Sequence, residues 1–220
     1  MHPPLFNETQ SISRSTRWRP LSRRAHDDQN ARFLNFALES IRKPISTGAV
    51  APSSRFLVNK VIELAELHNA QSVVELGPGT GAFTEQIQHH VNDSASLFAL
   101  ELNESFVKTT RKRCPRVRVY HDAAENLPTY LANGALKCDR IITSLPWTIF
   151  EHHEQIHLLD TIASSLKPGG KFISIVYLGA KTRVRGRNFI NSLPLHFKHV
   201  KRSNTEWRNI PPTQVYCCQN

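Results

Sequence analysis

The sequence predicts an α/β fold, in which helices cover both faces of a mostly parallel, seven-stranded sheet that ends in an antiparallel hairpin. Three observations predict it. Segments rich in β-branched and aliphatic residues alternate with segments of helical periodicity from Gln71 onward. A stretch with three glycines at alternate positions follows the first of these strands. The last two strand patterns have no helical segment between them, which is typical of an antiparallel pair.

Before the sheet, the chain divides into a tail, a helix and a loop. Residues 1–28 are rich in Pro, Ser and Arg and predict a disordered basic tail, which also has the composition of an organelle transit peptide. Residues 29–45 contain an amphipathic helix at 31–42, which suits either packing on the core or lying in a membrane interface. The small-residue loop 46–54 ends in a candidate helix N-cap, Ser54.

Strands and helices then alternate along the chain. Strand patterns lie at 72–75, 96–100, 117–120, 139–143 and 170–178. Helical periodicity is found at 56–67, 81–90, 103–113, 123–132 and 152–166, and Lys167-Pro168-Gly169-Gly170 predicts a sharp stop for the last of these helices. Two final strand patterns, at 196–203 and 213–218, flank a loop with two prolines and are expected to pair at the sheet edge.

The glycine-rich stretch predicts a cofactor site. Its candidate binding residues are Glu75, Gly77, Pro78, Gly79 and Gly81. Glycines allow a tight turn and a close approach to a ligand, and the helix that follows offers free N–H groups. An acid ahead of the glycines suits a cationic amino-acid moiety better than a phosphate. The stretch therefore favours S-adenosylmethionine, which carries an ammonium and a sulfonium, over a dinucleotide.

Acids after the next two strands complete the predicted cofactor site. Glu101, followed by Leu102, ends the second strand, where a carboxylate can accept hydrogen bonds from both ribose hydroxyls. Asp122 and Ala123 follow the third strand and are expected to meet the adenine amino group. The alternatives are a solvated acid at the strand end and an Asp that caps the following helix.

The fourth strand leads into Ser144-Leu145-Pro146-Trp147, the predicted acceptor site. A proline followed by an aromatic residue predicts a rigid turn with an exposed ring at the ligand-binding edge of the sheet. Backbone carbonyls near Ser144 would hold an amine and border the cofactor, and Trp147 would line the pocket. A turn with a packed Trp147 is the alternative.

Two positions are candidates for proton transfer. Tyr177 ends the fifth strand, where its hydroxyl would face the same crevice as a catalytic group or would simply belong to the core. His152 and His153 begin a helix and are weaker candidates for a general base, surface positions being the alternative.

The chain carries a formal net charge of +10, and its cations are clustered. One cluster lies in the tail, and the other comprises Lys181, Arg183, Arg185 and Arg187 followed by Lys198, Lys201, Arg202 and Arg208. Such clusters attract an anionic lipid surface or a nucleic acid, unless they are only solvated charge. The longest apolar run is too short to span a membrane. The four cysteines lack metal-ligand spacing and predict reduced thiols in the cytoplasm and no metal.

Over residues 46–220 these motifs together resemble class I S-adenosylmethionine-dependent methyltransferases. The peripheral bacterial phospholipid N-methyltransferases are similar at 48–54, 74–81 and 208–216. The ribosomal RNA adenine dimethylases share the small-residue loop and a Leu-Pro-aromatic motif. Their motif is usually Asn-Leu-Pro-Tyr where this chain has Ser-Leu-Pro-Trp, and they usually append a helical domain, which we do not expect in these 220 residues.

The resemblance implies a Rossmann-like methyltransferase domain at 46–220 that uses S-adenosyl-L-methionine, preceded by a membrane-docking helix at 29–45. It implies methyl transfer to the headgroup amine of a membrane aminolipid, phosphatidylethanolamine or its methylated forms. An ornithine lipid or an RNA adenine is the alternative acceptor, and a non-catalytic cofactor-binding scaffold is a third possibility. We expect a monomer at the cytoplasmic face of the membrane, with Arg183, Arg185 and Arg187 gripping the lipid phosphate.

Overall fold

The structure is a computed structural model that describes residues 54–131 and 136–220. The predicted tail at 1–28, the predicted helix at 29–45 and most of the loop 46–54 lie outside the described residues, so the predicted domain division stays a prediction.

One twisted sheet organises the described residues. Its strands are β1 (Ser72–Leu76), β2 (Ser96–Glu101), β3 (Arg118–His121), β4 (Cys138–Thr143), β5 (Leu166–Tyr177), β6 (His199–Arg202) and β7 (Thr213–Gln219). The strand order is β3-β2-β1-β4-β5-β7-β6. Neighbours from β3 to β5 pair in parallel, whereas β7 runs antiparallel to both β5 and β6. The predicted fold class and the terminal antiparallel pair are confirmed, and β7 is inserted between β5 and β6.

The helices of the described residues are α1 (Arg55–Ala65), α2 (Ala82–His90), α3 (Glu104–Arg113), α4 (Leu127–Tyr130), α5 (His152–Ser165) and α6 (Val184–His196). Short 3₁₀ turns lie at Leu67–Asn69, Ala124–Asn126 and Leu178–Thr182. Ser54 caps α1 as predicted, because its hydroxyl oxygen accepts a hydrogen bond from Leu57 N at 3.3 Å. The helix predicted at 123–132 is wrong in length: a 3₁₀ turn and one α-helical turn replace it.

Helix α6 was not predicted, because cations, Gly186 and an interior Pro194 obscure its apolar periodicity. The glycine has a packing reason. A Cβ at Gly186 would lie 2.0 Å from the Ala180 carbonyl oxygen, so only glycine lets α6 approach the preceding 3₁₀ turn so closely. Phe189 and Leu193, four residues apart on α6, are both fully buried.

Alternation along the strands divides the core into two layers. Val74 and Phe172 belong to the layer under α5 and α6, and Val73 and Ile173 belong to the layer under α1 and α2. Each fully buried side chain of this size stabilises the fold by roughly 1.5–3 kcal/mol. Because β1 to β5 are parallel and covered on both faces, their carboxyl ends form one open edge, where ligands bind in such sheets.

The loop between β6 and β7 is tied to the start of α1 at this same edge. Asn209, almost fully buried, accepts a hydrogen bond from Ser54 N at 3.0 Å and donates to Thr213 Oγ1 at 2.9 Å. Leu178 N, just after β5, donates to the Pro212 carbonyl at 2.8 Å. The carboxyl edge therefore joins the end of β5, the β6–β7 loop and the beginning of the described chain.

Candidate cofactor and acceptor site

The turn between β1 and α2 fits closely against its neighbours at two glycines and is open at the third. A Cβ at Gly77 would lie 2.7 Å from Leu145 Cδ2, and one at Gly81 would lie 2.9 Å from Thr110 Cγ2. Both residues also adopt a positive φ, which other residues rarely do. A Cβ at Gly79 would meet no atom within 4 Å. The structure thus leaves free space at the residue where a ligand is predicted to approach the backbone.

Glu101 and Thr110 hold the middle of this turn. The Gly79 N–H donates to Glu101 Oε2 at 2.9 Å, and Thr110 Oγ1 donates to the Gly79 carbonyl at 2.7 Å. Glu101 Oε1 accepts a second backbone hydrogen bond, from Asn103 N at 2.8 Å. Burial raises the pKa of Glu101, and these N–H donors oppose that shift. The backbone N–H of Leu102 also lowers the pKa of Glu101, so up to three of the four carboxylate lone pairs are engaged and at least one is left for the predicted contact with the ribose hydroxyls.

Glu75 is a buried carboxylate that lacks a complete set of partners. It is 1% exposed, and its Oε2 has no hydrogen-bond partner among the described residues. Burial raises the pKa of Glu75 to about 7, which the Thr84 hydroxyl opposes and the charge of Glu101 reinforces. An orphaned buried acid of this kind fits a cationic ligand group, which would restore the charged form. The residues present therefore fit S-adenosylmethionine.

An open cleft of about 590 Å³ extends from the glycine turn along the carboxyl ends of β1 to β4. Five of the predicted site residues line it: Gly77, Leu102, Asp122, Ala123 and Leu145. Ile149 and Phe150 line it as well, and the sequence prediction missed them. The only signal for them was their place just after the Leu-Pro-Trp motif. The walls of the cleft are mostly apolar and carry three carboxylates, those of Asp122, Glu125 and Glu154, a combination that suits a flat heterocycle with an amino group such as adenine.

Asp122 is engaged within the protein. Its Oδ1 accepts a hydrogen bond from Asn126 Nδ2 at 2.7 Å, and its Oδ2 accepts one from Tyr130 Oη at 2.8 Å. Desolvation and the hydrogen bond to Asp122 raise the pKa of Tyr130, which keeps the phenol a donor. Asp122 therefore orders the turn behind it, but it does not cap a helix, because the N-cap positions of the 3₁₀ turn and of α4 are Ala123 and Asn126. Because the Ala123 N–H also donates to Oδ1, at 2.7 Å, the adenine contact remains a prediction that uses the second lone pair of Oδ2.

The predicted exposed ring of Trp147 is wrong. The indole is 3% exposed, stacks on Phe189 with ring centroids 4.0 Å apart, and donates from Nε1 to Ser174 Oγ at 3.0 Å. Because α6 supplies this stacking partner, the turn directs the ring into the core rather than into the cleft. Phe150, three residues later, lines the cleft instead.

Ser144 remains accessible at the predicted acceptor site. Ser144 is exposed, and its hydroxyl donates to the Gly77 carbonyl at 3.2 Å, beside the glycine turn. The carbonyls of Leu145, Pro146 and Trp147 each accept a hydrogen bond from within the protein. No donor within residues 54–131 and 136–220 reaches the Ser144 carbonyl. The structure therefore leaves one carbonyl of the motif free to accept from an amine.

Tyr177 lies on the sheet face that carries Glu75 and is not among the residues that line the cleft. Burial raises the pKa of its phenol, so the phenolate is disfavoured. Tyr177 therefore does not suit a role as proton acceptor, because that role needs the ionised phenolate. Its environment favours the neutral hydroxyl. His152 and His153 are exposed on the first turn of α5, as the alternative for them expected.

The three arginines predicted to grip a phosphate have different environments. Arg185 pairs with Glu151 and donates to the Ile149 carbonyl at 3.3 Å, so it holds the segment that lines the cleft. Arg187 donates to the Thr182 carbonyl at 2.9 Å. Arg183 is exposed, and its side chain has no partner within the described ranges. Of the three, Arg183 is the one whose guanidinium is free to meet an anion.

The sequence of this chain is similar to those of known methyltransferases. Residues 73–170 match the profile of a family described as a methyltransferase domain. An ornithine lipid N-methyltransferase from Singulisphaera acidiphila is 27% identical over 192 residues, which cover 85% of this chain and 95% of that protein. A ribosomal RNA small subunit methyltransferase A from Leptothrix cholodnii is 29% identical over 49% of this chain and 39% of its own length.

A solved structure shows the same fold. The N-methyltransferase NodS from Bradyrhizobium japonicum, in complex with S-adenosyl-L-homocysteine, aligns with a TM-score of 0.59 at 15% identity over 76% of this chain and 86% of its own. None of the helices in residues 54–131 and 136–220 combines the length and the apolar character that crossing a bilayer requires.

Proposed function

We propose which molecule accepts the methyl group from this chain, a class I S-adenosylmethionine-dependent methyltransferase. The acceptor is the headgroup amine of a membrane aminolipid: phosphatidylethanolamine, its methylated forms or an ornithine lipid. One observation carries the proposal. The similarity to the ornithine lipid N-methyltransferase extends over 95% of that protein, whereas the similarity to the ribosomal RNA methyltransferase covers 39% of it.

The donor end of the reaction is supported by the residues around the glycine turn. Glu75 would face the ammonium of the cofactor, Glu101 its ribose, and the cleft from Leu102 to Phe150 its adenine. When bound, S-adenosylmethionine supplies an electrophilic methyl group on a sulfonium. The protein's contribution is to fix that group against an acceptor and to exclude water.

The acceptor end is supported by the free carbonyl of Ser144, next to the glycine turn. A lipid amine has a pKa of about 10 and must lose its proton before its nitrogen can attack a methyl group. Transfer from water into the crevice lowers that pKa, because burial disfavours the charged form. The Ser144 carbonyl would accept one N–H of the neutral amine and so direct its lone pair. The proton would leave to water or to the anionic group of the headgroup, which is the phosphate in phosphatidylethanolamine and the carboxylate in an ornithine lipid, and which Arg183 is free to contact.

Methylation of defined vesicles tests the proposal. The full chain is incubated with S-adenosylmethionine and vesicles of phosphatidylethanolamine or ornithine lipid in phosphatidylglycerol, and the lipids are analysed by mass spectrometry. The expected products carry one or more added methyl groups on the headgroup. Glu101→Ala, which loses the centre of the cofactor site, serves as the inactive control.

RNA adenine methylation is the second candidate, favoured by the Leptothrix cholodnii relative and the Leu-Pro-aromatic motif. It would use the same crevice for a base extruded from its stack. The same assay is therefore run on RNA. Methylated adenine in RNA, together with unmodified lipids in both kinds of vesicle, would overturn the lipid proposal.

A further inference from the structure

We propose that the sheet edge formed by the carboxyl end of β5 and the start of β7 carries a membrane-docking surface of its own, in which Trp207 and Ile210 enter the interface of an anionic bilayer. This docking rim comprises residues 178–187 and 203–212. The inference rests on the proposed function, because a bilayer is the source of the proposed substrate. It adds a second contact with the bilayer, independent of the helix predicted at 29–45.

The apolar component of the docking rim is unusually exposed. Trp207 is 68% exposed and Ile210 is 69% exposed, and both lie in the short loop between β6 and β7. A single exposed apolar residue is ordinary, but two large ones within four residues of one loop are not. An indole is suited to the boundary between headgroups and acyl chains, since its ring is apolar and its N–H is polar.

The loop is held firmly at the edge of the sheet where the cofactor site opens. Asn209, between the two apolar residues, is fixed by Ser54 N and by Thr213 Oγ1. The guanidinium of Arg208 lies 3.6 Å from the centroid of the Phe56 ring and pairs with Glu206 at 2.8 Å. The buried and paired residues of the loop thus anchor it, while the two apolar side chains stay outside.

Cationic side chains near the exposed Trp207 and Ile210 favour an anionic partner. Arg183 and Arg202 are exposed, and Lys181 is half-buried beside Arg202. Desolvation and the charge of Arg202 lower the pKa of Lys181, which indicates two cations held close together. An anionic lipid surface would neutralise this charge as the apolar side chains enter the interface.

The chemistry of the loop favours a bilayer over RNA. An exposed tryptophan suits either partner, since it can stack on a base or enter a lipid interface. Ile210 has no ring to stack and no hydrogen-bonding group, so its exposure serves only an apolar environment. One weak lipid contact gives marginal membrane binding, and stable binding takes two. The rim would be one contact and the predicted helix at 29–45 the other.

Depth-dependent quenching of tryptophan fluorescence tests the docking directly. The full chain with Trp18→Phe retains the buried Trp147 and the exposed Trp207 as its fluorophores. It is mixed with vesicles of brominated phosphatidylcholine and phosphatidylglycerol, without any aminolipid. We expect quenching and a blue shift on these vesicles and neither on neutral ones. Adding Trp207→Ser should abolish both signals.

Vesicle binding of matched variants gives the second measurement. Trp207→Ser with Ile210→Ser should weaken partitioning by about tenfold or more. Lys181→Gln with Arg183→Gln should weaken it by about fivefold per cation at low salt. Leu195→Ser is the control, because Leu195 is 79% exposed at the far end of α6, away from the rim. Affinity for S-adenosylhomocysteine, measured by calorimetry, should stay unchanged in all three and so report an intact fold.

Three results would overturn the docking proposal. The first is an unquenched Trp207 on anionic vesicles to which the protein binds. The second is partitioning of the Trp207→Ser, Ile210→Ser variant within twofold of the parent. The third is the loss of RNA binding, rather than of vesicle binding, in that variant. These readouts contain no acceptor lipid, so they are distinct from a failure of the proposed function, in which docked protein would leave aminolipids unmethylated.

Discussion

The glycine turn and the Ser144–Phe150 turn lie side by side on the same sheet edge but expose ligand-binding atoms in different ways. In the glycine turn the groups predicted to face the cofactor are backbone atoms and two buried acids at strand ends. In the Ser144–Phe150 turn, the direction of each side chain decides what lines the cleft, and packing against α5 and α6 decides that direction. A site lined by backbone atoms is thus easier to predict from a sequence than a site lined by side chains.

The largest expected effect concerns Glu75, which lies in β1 just before the glycine turn. It tests whether burial of this carboxyl without a ligand destabilises the protein. The pKa of Glu75 is raised from 4.5 to about 7, so the native state holds a proton that the unfolded state releases. The contribution of Glu75 to the stability of the ligand-free protein should therefore be fully present below pH 4.5 and be lost as pH rises through 7. That contribution is about 3 kcal/mol.

Glu75→Gln should remove this slope, so that the variant is more stable than the parent at pH 8 while it binds S-adenosylmethionine more weakly. Urea unfolding across pH and calorimetry measure the two effects. A parallel pH dependence in parent and variant would show that Glu75 is already satisfied, and the contrast between the two turns would weaken.

The second prediction concerns Glu101, which holds the backbone of the glycine turn. Glu101→Ala removes the acceptors for Gly79 N and Asn103 N and the predicted ribose contacts. Affinity for S-adenosylhomocysteine should fall by about 100-fold, or roughly 2.7 kcal/mol, since hydrogen bonds to charged groups contribute about 1.5–3 kcal/mol each. Glu104→Ala, at an exposed acid three residues later, is the control and should leave affinity unchanged. Normal binding by Glu101→Ala would refute the ribose role.

The sequence accounted for the first turn because its determinants are local. Glycine spacing after a β-branched pair predicts the turn, and the end of the next strand predicts Glu101 as its neighbour. The prediction of an exposed Trp147 ring failed because its stacking partner, Phe189, belongs to α6. The sequence pattern around Arg185 and Pro194 did not indicate that helix. Phe150 was missed for the same reason: with Trp147 turned inward, the next aromatic residue takes its place. Arg185 was assigned to a ligand because its partner, Glu151, is brought near only by the packing of α5 and α6.

The third prediction tests the packing that shapes the acceptor turn. Gln155 is fully buried, and its Nε2 donates to the carbonyls of Trp147 at 2.7 Å and Arg185 at 3.0 Å. Gln155→Leu should leave the Trp147 carbonyl without its donor, remove the side-chain hydrogen bond to the Arg185 carbonyl, and lower the free energy of unfolding by about 2 kcal/mol. As a positioning residue, it should raise KM for the acceptor about tenfold while affinity for S-adenosylhomocysteine stays within twofold.

Gln71→Leu, at an exposed glutamine before β1, is the matched control for Gln155→Leu and should change neither quantity. An equal loss of cofactor affinity and acceptor KM in Gln155→Leu would contradict the independence of the two turns.

The smallest expected effect separates packing from substrate contact at Trp147. Trp147→Phe keeps an aromatic ring on Phe189 but removes the Nε1 hydrogen bond and leaves Ser174 Oγ without its donor. We expect a loss of about 1 kcal/mol in the free energy of unfolding, the usual contribution of one hydrogen bond, and no change in acceptor KM. Phe150→Ala, by contrast, removes a side chain from the cleft itself and should weaken cofactor binding. If Trp147→Phe raised acceptor KM while Phe150→Ala left cofactor affinity intact, the ring that meets the ligands would be Trp147, and the turn would have to open when it binds them.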